Sequence, residues 1–270
     1  MENNKNSFIA KKSLGQNFLH APNIISAMIK TGEVYETSIV LEVGPGKGAL
    51  TAKLLENGAT ITAIEKDDRA IPFLQNKFAE EIKKGKFKLI HGDVLEFDEK
   101  SHENQLNNYI LIANIPYYIT GEFMRKFLES DNPPKKIVVM VQKEVAKRIV
   151  DTKESILSIA IKAYGEPKYV CSVPRKLFRP IPNVDSAVIS IENISKKFFI
   201  DNKINEKKFF EVIKAGFAHK RKFVKRNLED KITRNTLETL WKKENLPDDL
   251  RAENITLEMW KKIVGYSDIS

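Results

Sequence analysis

Residues 39–58 read IVLEVGPGKGALTAKLLENG, an apolar run followed by a glycine-rich turn and an amphipathic stretch. The apolar run predicts a strand that is buried on both faces, because polar and apolar residues do not alternate in it. The stretch from Ala49 has helical spacing and ends at Gly58, a residue typical of helix C-terminal caps. This order predicts a strand, a tight turn and a helix, which is the repeating unit of α/β sheets.

The same alternation continues along the chain. Strand patterns occur at 59–67, 87–93, 108–114 and 135–142, and helical patterns at 68–83 and 121–130. They predict a doubly wound parallel sheet, that is, an α/β Rossmann-like fold. A helix at 154–164 and two strand candidates, YVCSVP and SAVISIE, follow, and the pattern is almost entirely helical from about residue 198. We therefore predict a catalytic domain at 1–195 and a small helical domain at 196–270.

Composition limits the class of protein. The chain has 270 residues, of which 42% are hydrophobic, and a net charge of +9, which favours an acidic partner, first of all RNA or DNA. One cysteine, Cys171, excludes an internal disulfide, and with four scattered histidines it gives no metal-site spacing. No apolar run approaches the roughly 20 residues of a membrane span, and the N-terminus is polar. We expect a cytoplasmic monomer without membrane contact or metal.

Candidate binding residues follow three successive strands. Gly44 and Gly46 form the first turn, Glu65 ends the second strand, and Asp93 and Val94 follow the third. The carboxyl ends of parallel strands meet at one edge of a sheet, where open α/β sheets bind ligands. A carboxylate at the second strand can accept hydrogen bonds from a ribose diol, and one at the third can accept from an adenine amino group. This pattern suits a nucleoside cofactor, and the GxGxG spacing disfavours nicotinamide, whose fingerprint is GxGxxG.

The fourth strand ends in the unusual sequence Asn114-Ile115-Pro116-Tyr117. If the substrate is an adenine, its amino group is a poor nucleophile, and acceptors placed at its two N–H groups favour the tetrahedral geometry that attack on a methyl sulfonium requires. The Asn114 side-chain oxygen and the Ile115 carbonyl can be those acceptors, Pro116 fixes the backbone, and Tyr117 supplies a stacking face. A simple strand-ending turn is the alternative, but it does not explain the alignment of Asn114 with the other three strand ends.

Several motifs together resemble the ribosomal RNA adenine dimethylases. They are LGQNFL (14–19), VGPG (43–46), NIPY (114–117), VQKEVAKRIV (141–150), LFRPIPNVDSAVI (177–189), AGFAHKRKFVKRNL (215–228) and RAENITLEMW (251–260). The resemblance spans nearly the whole chain and implies a Rossmann-like domain, a helical domain, and methyl transfer from S-adenosylmethionine to adenine N6. The cofactor contacts that it implies fall on Asn17, Leu19, Gly44, Glu65, Asp93 and Asn114.

The resemblance also assigns the substrate side. Phe178 matches an aromatic residue that packs against the target base opposite Tyr117, and Ile115, Tyr118 and Arg179 depart from the usual residues of the family. The sequence VDSA at 184–187 resembles the group that dimethylates two adjacent adenines near the 3′ end of small-subunit (16S) rRNA during assembly. The other group dimethylates large-subunit rRNA and confers macrolide resistance.

A basic segment in the helical part predicts RNA contact. Its basic residues are Lys220, Arg221, Lys222, Lys225 and Arg226. If the segment is one helix, Phe217, Val224 and Leu228 share a face that docks on the protein, and the basic residues face phosphates.

Three other functions compete with this prediction. They are a non-catalytic RNA-binding assembly factor, a nicotinamide oxidoreductase and a DNA adenine methyltransferase. The last commonly has Asp-Pro-Pro-Tyr at the fourth strand, where this chain has Asn-Ile-Pro-Tyr.

Overall fold

The chain folds into two compact units. The computed structural model describes residues 11, 15–102, 105–219 and 221–267. The first unit contains the residues up to Ala146 together with Glu166–Ile194, and the second contains Lys147–Gly165 and the residues from Ser195 onward. Residues 147–165, which the predicted division at 195 assigns to the first domain, therefore fold with the second unit. Within the described ranges, no helix has the length and apolar character of a membrane span.

Nine strands form two sheets in the described part of the chain. They are β1 (Phe18–Leu19), β2 (Ile39–Val43), β3 (Thr60–Glu65), β4 (Phe87–His91), β5 (Ile110–Asn114), β6 (Lys136–Gln142), β7 (Glu166–Val173), β8 (Phe178–Arg179) and β9 (Ser186–Glu192). The large sheet has the order β4-β3-β2-β5-β6-β9-β7, and β1 pairs with β8 in a separate two-stranded sheet.

The helices alternate with the strands and then dominate the C-terminal part. They are α1 (Pro22–Gly32), α2 (Ala49–Glu56), α3 (Ala70–Lys77), α4 (Ala79–Lys83), α5 (Thr120–Glu129), α6 (Lys143–Val150), α7 (Ile156–Tyr164), α8 (Lys197–Asn202), α9 (Glu206–Gly216), α10 (Val224–Leu228), α11 (Arg234–Lys243) and α12 (Leu257–Ser267). The helix predicted at 68–83 is two helices, α3 and α4, because the backbone leaves helical geometry at Phe78.

The parallel sheet predicted from residues 39–142 is confirmed. Strands β4, β3, β2, β5 and β6 pair in parallel, whereas β9 and β7 extend the sheet in antiparallel orientation. The central strands are apolar and buried, with α1 packed against β5 and β6, and Ile110–Ala113 have no exposed surface. This arrangement puts the ends of β2, β3, β4 and β5 side by side.

In the second unit, the basic segment is not one helix. Helix α9 ends at Gly216 and α10 begins at Val224, so the prediction that Phe217 and Val224 share a helix face is wrong. The break has a tertiary cause, because the Phe217 ring stacks on Trp260 at 5.9 Å and the Val224 amide donates to Leu250. These contacts fix a non-helical connection between α9 and α10.

Candidate active site

A cavity of roughly 390 Å³ lies at the carboxyl ends of β2, β3, β4 and β5, entirely within the first unit. Its size is that of a small-molecule site. One predicted residue from each of the four strand ends lines it, namely Gly44, Glu65, Asp93 and Asn114. The structure therefore brings together the four positions that the sequence pattern aligned.

The turn after β2 brings the backbone close to the cavity. Gly44 and Gly46 both have positive φ, at 72° and 55°. At Gly46 a Cβ would lie 2.9 Å from the Phe18 ring, so a side chain is excluded by packing as well as by backbone conformation. The Gly46 amide donates to Glu65 Oε2 at 3.0 Å, which joins the turn to the end of β3.

Glu65 is fixed by two backbone donors. Besides the Gly46 bond to Oε2, its Oε1 accepts from the Asp67 amide at 2.8 Å. The side chain is largely buried, and this burial raises its pKa above the usual range despite the two hydrogen bonds. A carboxylate held in this way keeps lone pairs in a fixed direction, which suits recognition of a diol.

Asp93 is part of an ion pair at the edge of the cavity. Its Oδ2 accepts from Lys66 at 2.5 Å, and its Oδ1 accepts from the Leu95 amide at 2.9 Å. Partial burial is the largest single influence and raises the pKa of Asp93, but the hydrogen bonds from Lys66 and the Leu95 amide and the charge of Lys66 together outweigh it and hold the pKa below its usual range. Asp93 is therefore a charged acceptor at neutral pH, and Val94 beside it lines the cavity as a buried apolar contact.

The end of β5 combines an amide and a fixed phenol. Asn114 is the last residue of β5, and within the described ranges its side-chain amide makes no hydrogen bond. Ile115 is buried, and both residues line the cavity. The Tyr117 hydroxyl bonds Ser186 Oγ at 2.6 Å, and burial raises the Tyr117 pKa. The tyrosine is thus a neutral aromatic wall with a fixed orientation, while the amide of Asn114 is available to a ligand.

A short segment covers the cavity. Residues 15–20 all line it, including the predicted Asn17 and Leu19. Gln16 Nε2 donates to Asp67 Oδ2 at 2.7 Å, and Arg69 also binds this carboxylate and holds its pKa well below the usual range. The other end of the segment is held by the β1–β8 pairing, in which Leu19 lies opposite Phe178. Sequence patterns do not predict this pairing, because each strand has only two residues.

Phe178 lies outside the cavity wall. Its side chain has no exposed surface and packs in the apolar core of the first unit. In this conformation the ring presents no face to a base, so its predicted contact with the target base stays a prediction. In the structure, Phe178 contributes to the site through its backbone, which pairs with Leu19 of the covering segment.

Glu42 is a cavity residue that the motif patterns missed. It is 1% exposed in the middle of β2, and neither carboxylate oxygen has a hydrogen-bond partner among the described residues. Burial raises the pKa of Glu42 to about 8, against the lowering effect of the nearby Thr51 hydroxyl and amide and with a smaller contribution from the Glu65 charge. An acid inside the apolar run IVLEV was the available signal, since glutamate is almost never fully buried without a partner.

The predicted RNA-binding residues belong to the second unit, except that Lys220 lies outside the described residues. Arg221, Lys222 and Arg226 are exposed, whereas Lys225 pairs with Asp248 at 3.2 Å and is mostly buried. Within the described ranges, no group of three His, Cys, Asp or Glu side chains is arranged to hold a metal ion.

Comparisons with known proteins cover nearly the whole chain. The family model described as Ribosomal RNA adenine dimethylase matches residues 7–268. Ribosomal RNA small subunit methyltransferase A of Enterococcus faecalis (strain ATCC 700802 / V583) is 38% identical over 272 residues, covering 96% of this chain and 90% of the relative. The protein of the same name from Dehalococcoides mccartyi (strain CBDB1) is 37% identical over 260 residues, covering 94% and 87%.

Two solved structures share the fold. The 23S rRNA methyltransferase ErmE superposes with a TM-score of 0.73 at 22% identity, covering 93% of this chain and 100% of that one. A dimethyladenosine transferase from Plasmodium falciparum gives 0.73 at 23% identity, covering 93% and 98%. At these identities the likeness concerns the fold alone.

Proposed function

The chain belongs to the ribosomal RNA adenine dimethylase family, and on this premise we propose that it dimethylates N6 of two adjacent adenines near the 3′ end of small-subunit (16S) rRNA during ribosome assembly. The observation that carries the proposal is the position of the Asn114-Ile115-Pro116-Tyr117 motif. It lines the same cavity as Gly44, Glu65 and Asp93. One cavity therefore offers acceptors for a nucleoside cofactor and acceptors for an adenine amino group.

The residues present fit S-adenosylmethionine as the cofactor. The cavity is large enough for a nucleoside with an amino-acid tail, and Glu65 and Asp93 are acceptors for its hydroxyl and amino groups. Glu42 is a buried acid without a partner on the wall of the same cavity, a site suited to a ligand that carries positive charge. Asn17 and Leu19 would hold the cofactor from the covering segment.

The cofactor supplies an electrophilic methyl group, and the chain supplies position and hydrogen bonds. Asn114 Oδ1 and the Ile115 carbonyl accept the two amino protons of adenine, which turns the nitrogen lone pair out of the ring. Asparagine suits this role because it accepts a hydrogen bond without taking up a proton. Tyr117, which Ser186 holds by its hydroxyl, offers a ring for stacking. Each transfer would form an N–CH3 bond as the S–CH3 bond breaks, leave S-adenosylhomocysteine, and release one amino proton to solvent.

Two observations support the small subunit as the substrate. The relatives that carry this specificity in their names are 37% and 38% identical over almost the full chain. The VDSA sequence is also present, and Asp185 binds the Arg175 amide at 2.9 Å and so closes the proline-rich loop. We further propose that the protein acts as a monomer in the cytoplasm, where this substrate is assembled.

We assign RNA contact in the second unit to Lys220, Arg221, Lys222, Lys225 and Arg226, of which Lys225 must leave its pair with Asp248 to reach a phosphate. Charge reversal at Lys222 and Arg226, both exposed, should weaken binding to ribosomal particles, because each contact with a phosphate contributes to affinity. The matched control is Lys197→Glu, an equally exposed position on α8 in the same unit. The assignment would be contradicted if, at physiological salt, the protein with reversed charges at Lys222 and Arg226 bound ribosomal particles as tightly as the Lys197→Glu control.

The decisive experiment uses S-adenosylmethionine labelled on its methyl group. Small subunits from a strain that lacks the modification and naked large-subunit rRNA are incubated in parallel, and the digested nucleosides are resolved. We expect N6,N6-dimethyladenosine in the small-subunit sample only. Asn114→Ala should abolish it, and Asn107→Ala, an exposed asparagine before β5, should not. Label only in large-subunit rRNA would refute the substrate, and no label with intact cofactor binding would favour a factor that acts by binding alone.

A further inference from the structure

Tyr118 is an exposed aromatic residue at the edge of the cavity. It follows Tyr117 in the short 3₁₀ turn Tyr117–Ile119, and it lines the cavity although its side chain is 68% exposed. Tyr117 is half-buried with its hydroxyl bound to Ser186. The two neighbouring phenols therefore have different surroundings, one built into the wall and the other open to solvent.

The Tyr118 ring is supported from the protein side. A Cβ built on Gly15 would lie 3.4 Å from Tyr118 Cε1, so the edge of the ring lies beside the glycine of the covering segment, where a side chain would touch it. The cation Lys66 is close enough to interact electrostatically with the tyrosine, while its main partner is Asp93. The ring therefore has a neighbour at one edge, and most of its surface remains available.

An aromatic surface beside a base pocket has a specific use. An enzyme that takes a target base out of its stack leaves the adjacent nucleotide without one stacking neighbour. Aromatic side chains replace that neighbour in single-stranded RNA recognition, because every base has a π-face. We propose, on the basis of the proposed function, that Tyr118 is the stacking platform for the nucleotide adjacent to the target adenine. It thereby positions the RNA strand beside the target adenine whichever base is adjacent.

The competing role for Tyr118 is purely structural. A ring that rests on Gly15 could serve only to hold the covering segment, and in that case its loss would weaken cofactor binding. Leucine at this position keeps an apolar contact with Gly15 but offers no π-face. Phenylalanine keeps both. The set Tyr118→Ala, Tyr118→Leu and Tyr118→Phe therefore separates stacking from support.

The test measures the KM for small subunits and the cofactor Kd by isothermal titration calorimetry. We expect Tyr118→Ala and Tyr118→Leu to raise KM by about 5- to 100-fold, the range that loss of one base–aromatic stack produces. Tyr118→Phe should restore it, and the cofactor Kd should stay within twofold throughout. Tyr35→Ala is the matched control, since Tyr35 is 57% exposed and precedes β2 at the opposite edge of the sheet.

Two results would overturn the inference. One is an unchanged KM in Tyr118→Ala, and the other is a leucine variant that behaves like wild type while Tyr118→Ala loses cofactor affinity. Failure of the wild-type protein to methylate small subunits would instead refute the proposed function, so the two failures are distinguishable.

Discussion

The substitution Glu42→Gln should stabilise the protein in a pH-dependent way. Glu42 is buried on the cavity wall without a hydrogen-bond partner among the described residues, and its pKa is raised from 4.5 to about 8. The folded state therefore binds a proton that the unfolded state releases between these two values. Consequently, the contribution of Glu42 to the free energy of unfolding falls as pH rises from about 4.5 to about 8.

The size of the effect follows from the displacement of the pKa. A change from 4.5 to about 8 corresponds to roughly 5 kcal/mol when complete, and to about 3 kcal/mol at pH 7. Glutamine has nearly the shape of the protonated acid and cannot ionise. The difference in unfolding free energy between Glu42→Gln and wild type should therefore be near zero below pH 4.5, grow with pH, and level off above pH 8.

Urea unfolding followed by circular dichroism between pH 4 and pH 9 measures this difference directly. Glu36→Gln is the matched control, because Glu36 is exposed in the loop before β2. It should differ from wild type by a few tenths of a kcal/mol at every pH. A pH-independent difference for Glu42→Gln would refute the reasoning, since it would mean that Glu42 has the same pKa in the folded and the unfolded protein.

Three further substitutions test the geometry of the cavity. Gly46→Ala should weaken cofactor binding at least tenfold by calorimetry, because φ is 55° and the Phe18 ring lies 2.9 Å from the new Cβ position; unchanged affinity would show that the turn can move. Ser186→Ala and Tyr117→Phe should each lower kcat about tenfold, and the double variant should be no worse than either alone, because both remove the same hydrogen bond. Additive losses in the double variant would mean that Ser186 and Tyr117 act independently.

The sequence predicted the cavity because local patterns determine where the strands end. Four features mark the ends of successive strands: a glycine turn, two acids and an asparagine. They meet if the strands pair in parallel, and β2, β3, β4 and β5 pair in this way. The cavity-lining positions of Gly44, Glu65, Asp93 and Asn114 follow from topology alone. Prediction works at this level because the register of a buried parallel sheet is set by its apolar runs.

The features that sequence reasoning missed depend on residues far apart in the chain. The break between α9 and α10 depends on Trp260 and Leu250, which a periodicity argument on residues 215–228 does not include. The burial of Phe178 likewise depends on the core around it, and a single aromatic residue in a proline-rich loop carries no local signal for that burial. Tertiary contacts override local pattern at both places.

One loop connects the two sides of the cavity. Its Phe178 pairs with Leu19 of the covering segment, and Ser186, at its end, fixes the hydroxyl of Tyr117, 69 positions away in the chain. The first contact holds the proposed cofactor cover, and the second orients the proposed stacking ring for the base. The positions of the proposed cofactor and of the target base therefore depend on the same proline-rich loop. The loop acts on the cofactor side through its backbone at Phe178 and on the base side through the hydroxyl of Ser186.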